Sequence, residues 1–179
     1  MKIENTKFKG LKIIKGKIFY DKWGFFRELY QKKKLKSHNP IFWCLSSSKK
    51  NVFRGLHFQN KNMQEKFVSV IVGKILDIVV DLRPKSKTFG KHFKILLSEK
   101  NAKSILIPAG FAHGFMGLEN KNIIVYSNNN YRSQKNEMGL LWNDKKLKIS
   151  LPKVKLILSK KDKSNFTFSK YLKFNEIKK

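Results

Sequence analysis

Side chains between Gly73 and Pro84 alternate without a break: Ile75, Asp77, Val79 and Asp81 fall on one face of an extended chain, and Leu76, Ile78, Val80 and Leu82 on the other. A helical period would scatter both sets around its axis. The segment therefore reads as a strand, and a strand carrying two carboxylates on one face lines something polar. Comparable β-branched or aromatic runs occupy 67–72, 92–97, 104–107 and 123–126, separated by Gly, Pro, Asn and Ser-Lys clusters. Many short strands at roughly 8- to 12-residue spacing predict an all-β chain, an antiparallel sandwich or barrel. Helical signals are few. A short helix is expected within 25–36, and a one-turn helix or loop at 98–103.

With 179 residues, 41% of them hydrophobic and 13% aromatic, the chain is long enough for one domain over 1–179 and too apolar to be disordered. Forty Lys and Arg against twelve Asp and Glu leave a net charge of +28, which raises nucleic acid as a partner. Only Arg27, Arg54, Arg83 and Arg132 supply the planar fork that phosphate and base recognition favours, and the lysines are spread along the whole length. Nucleic acid is therefore not the expected partner. Cys44 is the single cysteine, so the fold needs no disulfide. Neither a signal-peptide run in 1–15 nor any stretch of about 18 apolar residues is present, and a soluble cytoplasmic protein with no membrane partner is expected. A lysine-rich extension at about 163–179, with Phe166, Phe168, Tyr171 and Phe174, is expected to pack partly on the body and fray at its end.

Two histidines have special surroundings. In Arg54-Gly55-Leu56-His57-Phe58-Gln59, alternation puts Leu56 and Phe58 on one side, His57 and Gln59 on the other. His57 is then either a polar-face group acting on an anionic ligand or a core histidine satisfied by a carbonyl. The stretch Pro108-Ala109-Gly110-Phe111-Ala112-His113 fixes a tight turn that delivers His113 at the start of the next strand. Its Pro-x-Gly-x-x-His spacing resembles a motif of the cupin superfamily, a jelly-roll barrel. Metal-binding cupins carry His-x-His at the place where this chain has His57-Phe58-Gln59, so no metal is expected. Lys66 heads a strand, where it either holds a negative oxygen or is one more surface lysine. Tyr126 is placed to present its phenol to a barrel interior, and Asp144 or Asp162 to orient a histidine; each has a purely structural reading as well.

Taken in order, Gly24-Phe25-Phe26-Arg27-Glu28, Arg54-Gly55-Leu56-His57-Phe58-Gln59, Lys66, the 73–83 strand, Ser86-Lys87-Thr88-Phe89-Gly90, Pro108 to His113 with Gly114-Phe115, Trp142-Asn143-Asp144 and Leu158-Ser159-Lys160-Lys161-Asp162 resemble the dTDP-4-dehydrorhamnose 3,5-epimerase family, over about 10–162. The resemblance implies an RmlC-like, cupin-type jelly-roll barrel of antiparallel strands with a few short helices. It also implies a homodimer and a cofactor-free isomerase acting on a nucleotide-diphosphate 4-keto sugar for capsule, lipopolysaccharide or another surface polysaccharide. By the family's motifs His57 is the base, Asp162 its orienting partner, Tyr126 the proton donor across the ring and Lys66 the holder of the enolate oxygen. Asp144 becomes a turn residue. Arg54 matches a diphosphate contact and His113 a second histidine lining the sugar pocket; Gln59, Phe26 and Glu28 join the substrate contacts, the last two reaching the nucleotide, in a neighbouring subunit.

Several positions depart from the family pattern. Trp23 stands where an arginine is usual, Phe42 and Cys44 replace a glutamine and an asparagine, and Arg132, after Tyr131, stands where an aromatic is usual. All fall in nucleotide or sugar recognition, so the proton chemistry is expected to be kept while the ligand differs, for example a GDP-linked sugar or a 4-keto heptose. An epimerase acting at C3 alone, a 3,4-ketoisomerase on the same barrel and a non-catalytic nucleotide-sugar or nucleic-acid binder are the competing readings.

Overall fold

The computed structural model describes residues 1–176. It contains thirteen strands: β1 (Lys2–Asn5), β2 (Lys12–Lys15), β3 (Ile18–Asp21), β4 (Gly24–Arg27), β5 (Phe42–Ser48), β6 (Phe53–Gln59), β7 (Lys66–Val72), β8 (Lys74–Asp81), β9 (His92–Ser98), β10 (Lys103–Ile107), β11 (Phe111–Gly117), β12 (Asn122–Asn128) and β13 (Glu137–Gly139). Two short helices, α1 (Lys160–Lys163) and α2 (Phe168–Glu176), follow near the C-terminus. Strands β1-β2-β10-β7-β12-β5 form one sheet and β13-β6-β11-β8-β9 another, with β3 and β4 as a separate hairpin. Pairings between these strands are antiparallel. All five strands read from the sequence are present, within one or two residues of the expected bounds.

Alternation explains the layering. On β8, Ile75 and Val79 join Val68, Val70, Ile105 and Ile124 of the six-stranded sheet in a core between the sheets. Ile78, Val80 and Leu82 point the other way, into a second core with Leu56, Phe58, Leu147, Phe168 and Tyr171. The five-stranded sheet is thus covered on its outer face by the C-terminal third of the chain, which is why both faces of β8 are apolar. A smaller cluster of Ile14, Leu35, Phe67 and Leu106 covers the outer face of the other sheet.

No helix forms within 25–36, and of the one-turn helix or loop expected at 98–103 the loop is what forms. Within 25–36, Phe25 and Phe26 belong to β4, because the Asp21 carboxylate accepts the backbone N–H groups of Trp23 (2.8 Å) and Gly24 (2.9 Å) and folds β3 back as a hairpin. At 98–103, the Ser98 hydroxyl and the Asn101 amide cap each other's backbone N–H groups (3.0 and 3.1 Å) and make a turn. The 163–179 segment places Phe168 and Tyr171 in the second core; the fraying expected at its end falls outside the described residues.

Candidate active site

The positions of the histidines follow from strand pairing. His57 on β6 lies directly opposite His113 on β11, so both imidazoles stand on the inward face of the five-stranded sheet. Glycine makes that pairing close. Gly55 has φ of 131°, and a Cβ there would sit 2.5 Å from the Gly114 Cα and 2.9 Å from the His113 carbonyl oxygen.

Each histidine is tied to a carboxylate. His57 Nε2 is 2.5 Å from Asp162 Oδ1, and Asp162 is 3% exposed. Asp162 sits in α1, where its Oδ2 accepts the Ser159 hydroxyl (2.8 Å) and its N–H donates to the Ser159 Oγ (3.0 Å). Burial works against ionisation of Asp162, but the hydrogen bond with His57, helped by Ser159, outweighs it and keeps the carboxyl below the usual range. His113 Nε2 is 2.8 Å from Oδ2 of Asp77, one of the two β8 carboxylates. The other, Asp81, is fully buried and accepts from Arg83, Ser86 and Thr88. Of the alternatives for orienting His57, Asp144 is instead a turn residue: it accepts the Lys146 N–H (2.8 Å) and the first N–H of α2, from Phe168 (2.7 Å).

Facing the histidines, the six-stranded sheet presents Lys66 and Tyr126. Tyr126 on β12 lies opposite Val68 of β7 and Cys44 of β5, and Lys66 lies opposite Asn128. Burial raises the Tyr126 phenol above its ordinary pKa, with the Cys44 thiol adding to it; Arg132 and Arg54 pull the other way. Burial lowers the Lys66 ammonium. Behind them, fully buried His38 bridges Glu65 Oε1 (2.7 Å) and Ser127 Oγ (2.9 Å), the neighbours of Lys66 and Tyr126 along the chain.

His57, His113, Lys66, Tyr126, Asp162 and Arg54 all line one cavity of about 460 Å³ between the sheets. Arg54 is steadied there by the Ser48 hydroxyl (2.9 Å) and the Ser47 carbonyl (3.3 Å). Gln59 also lines it, but its amide is spent on loops: Nε2 donates to Asn62 O (2.8 Å) and Oε1 accepts the Ser133 N–H (2.6 Å). Arg132 lines it and donates to Glu137 Oε2 (3.0 Å), which also takes Lys161 Nζ (2.6 Å). Burial opposes ionisation of Glu137, yet the two cations push its carboxyl down to about 2.

The sequence-expected contacts Trp23, Phe26, Glu28 and Tyr131 do not line this cavity. Trp23 and Phe26 belong to the exposed hairpin (83% and 63% exposed), Glu28 accepts from Gln31, and Tyr131 packs outside against Phe42. Sequence reasoning missed Glu137, Lys161 and the Asp77–His113 link. Only the last left a signal, in the carboxylate alternation of β8. Among the described residues, no three His, Cys, Asp or Glu side chains converge as metal ligands, and no helix is long and apolar enough to cross a membrane.

This fold has known counterparts. The family model for dTDP-4-dehydrorhamnose 3,5-epimerase matches residues 5–170, extending past Asp162, the last residue of the motifs that carry the sequence resemblance. The dTDP-4-dehydrorhamnose 3,5-epimerase of Escherichia coli K12 is 35% identical, the alignment covering 99% of this chain and 100% of that protein. An epimerase of Legionella pneumophila, solved in complex with dTDP-4-keto-L-rhamnose, superposes with a TM-score of 0.90 at 36% identity over 94% of this chain and 93% of its own. That of Bacillus anthracis, solved with TDP and pyrophosphate bound, gives 0.89 at 39% identity over 93% and 99%. A jelly-roll barrel, two His–Asp pairs facing a lysine and a tyrosine across one cavity, and a family match along nearly the whole length lead to one conclusion: the chain belongs to the dTDP-4-dehydrorhamnose 3,5-epimerase family.

Proposed function

We propose that this protein is a 3,5-epimerase of a nucleotide-linked 4-keto sugar of the dTDP-4-dehydrorhamnose type and works without a cofactor. The observation that carries the reading is the division of labour between the sheets. The base candidate His57 comes from one and the acid candidate Tyr126 from the other, and both face one cavity. A C4 ketone acidifies the protons on C3 and C5. His57 takes one of them, the electron pair moves onto the ketone oxygen, and Lys66 holds the resulting enolate. Tyr126 then gives its phenolic proton to the same carbon from the opposite face, and both groups re-equilibrate with solvent. Asp162 steadies the imidazolium, His113 borders the sugar, and Arg54 with its bidentate fork takes the diphosphate.

The hairpin supports a homodimer. Phe19, Tyr20, Trp23, Phe25 and Phe26 are each more than half exposed on a two-stranded sheet separate from the rest of the barrel, a surface that a second copy would bury. In such a dimer Trp23, Phe26, Glu28 and Tyr131 would meet the nucleotide from outside their own cavity. Supply of a surface polysaccharide precursor in the cytoplasm fits this chemistry. Phe42, Cys44 and Arg132, which line the cavity where the family carries amides and an aromatic, favour a ligand different in base or sugar, such as a GDP-linked or heptose analogue.

Incubation in deuterated water with a panel of dTDP- and GDP-linked 4-keto sugars tests the proposal. Label should enter C3 and C5 of a substrate that the enzyme inverts, with product stereochemistry read by NMR. Absence of label at both carbons across the panel refutes it, and label confined to C3 assigns the C3-only reaction.

A further inference from the structure

Arg132 reaches the cavity from the segment that follows β12, and its place there is built rather than incidental. Glu137, paired with Gln59 at the edge of the five-stranded sheet, accepts the Arg132 guanidinium on the same carboxylate oxygen that receives Lys161. One carboxylate shared by two cations leaves a net positive charge at that wall. Tyr126 lines the same cavity as Arg132. Its phenol stands opposite the Cys44 thiol in a half-buried strand, surroundings that disfavour a phenolate; the guanidinium works against them without cancelling them.

We propose that Arg132 is a positioning residue for the reaction assigned above, acting through Tyr126: it stabilises the phenolate that appears as Tyr126 gives up its proton, and so sets how often an enolate is inverted instead of returned to its original face. The inference rests on the epimerase reading. Once His57 has taken the proton, the enolate has two fates. In deuterated water the imidazolium, after exchanging with solvent, returns a deuteron to the first face and regenerates labelled substrate; Tyr126, its phenol likewise exchanged, delivers a deuteron to the second face and is left as phenolate. Only the second route develops negative charge on the phenol, so only that route is sensitive to Arg132.

The experiment compares wild type, Arg132→Gln and Arg132→Lys in deuterated water, using the 4-keto sugar that wild type inverts. Samples taken early in the reaction are scored for deuterium in recovered substrate and in inverted product. With Arg132→Gln, the ratio of label in substrate to label in product should rise roughly three- to tenfold while total exchange falls far less. Arg132→Lys, which keeps a cation, should recover most of the wild-type ratio. The Arg132 side chain is 53% exposed, so both variants are expected to fold. A fall of exchange and inversion in equal proportion, or no change in either, overturns the proposal. Absence of exchange in the wild type overturns the epimerase reading itself, a separate outcome.

Discussion

Replacing Asp162 by Asn tests the His57–Asp162 pair most directly. In the native protein the carboxylate lies 2.5 Å from His57 Nε2 and is 3% exposed, so little solvent screens it. When His57 accepts a proton, that contact becomes a charge-assisted hydrogen bond; with asparagine it becomes a neutral one of roughly half the strength. Two unit charges 4 Å apart at an effective dielectric of 20 attract by about 4 kcal/mol, and the amide forfeits most of that in the transition state. A loss of about 3 kcal/mol corresponds to about a 10²-fold fall in rate. The assay is deuterium entry into C3 and C5 alongside kcat for inversion, with thermal unfolding measured in parallel. Ser159→Ala is the control. It removes the hydroxyl that holds Asp162 Oδ2 but leaves the carboxylate, and it should cost less than about tenfold. If Asp162→Asn keeps more than about a third of the wild-type rate while folded, the account of the base is wrong.

Lys66→Met should lower kcat by about 10²- to 10³-fold, as loss of a charge stabiliser at a developing oxyanion does. It should also raise the urea midpoint, since burial disfavours that ammonium; a variant as active as wild type, or less stable, contradicts the assignment. Asp81 gives the pH test. Burial opposes its ionisation, but Arg83, Ser86 and Thr88 hold its carboxyl at about 2 against 3.8. That shift contributes on the order of 2 kcal/mol, present in full above the unfolded value and lost as pH falls through the folded one. Asp81→Asn should therefore be less stable than wild type near neutral pH, with the gap closing from about pH 4 towards 2; denaturant unfolding across that range reads it, and a constant gap refutes it.

Much of this molecule was legible in the chain because strand pairing imposes a period of two that residues 75–82 obey on both faces. The same rule placed His57 and Gln59 opposite Leu56 and Phe58, as found. It could not say that β6 and β11 would be neighbours, so the pairing of His57 with His113 is a fact of topology alone. Residues 25–36 misled because aromatic and basic residues suit a helix face as well as a hairpin; the overlooked signal was Asp21 ahead of Gly24, a turn that the Asp21 carboxylate closes. Glu137 and Lys161 were invisible. Their ion pair spans 24 residues, and charge alone singles out no lysine in a chain so rich in them.

Asp162 reaches His57 from 105 residues further along the polypeptide. During synthesis the imidazole is made early, and it stays unsteered until α1 has emerged and docked. With His57 as the base proposed above, proton abstraction is deferred until all thirteen described strands have been made, and a half-made barrel offers its substrate no steered imidazole.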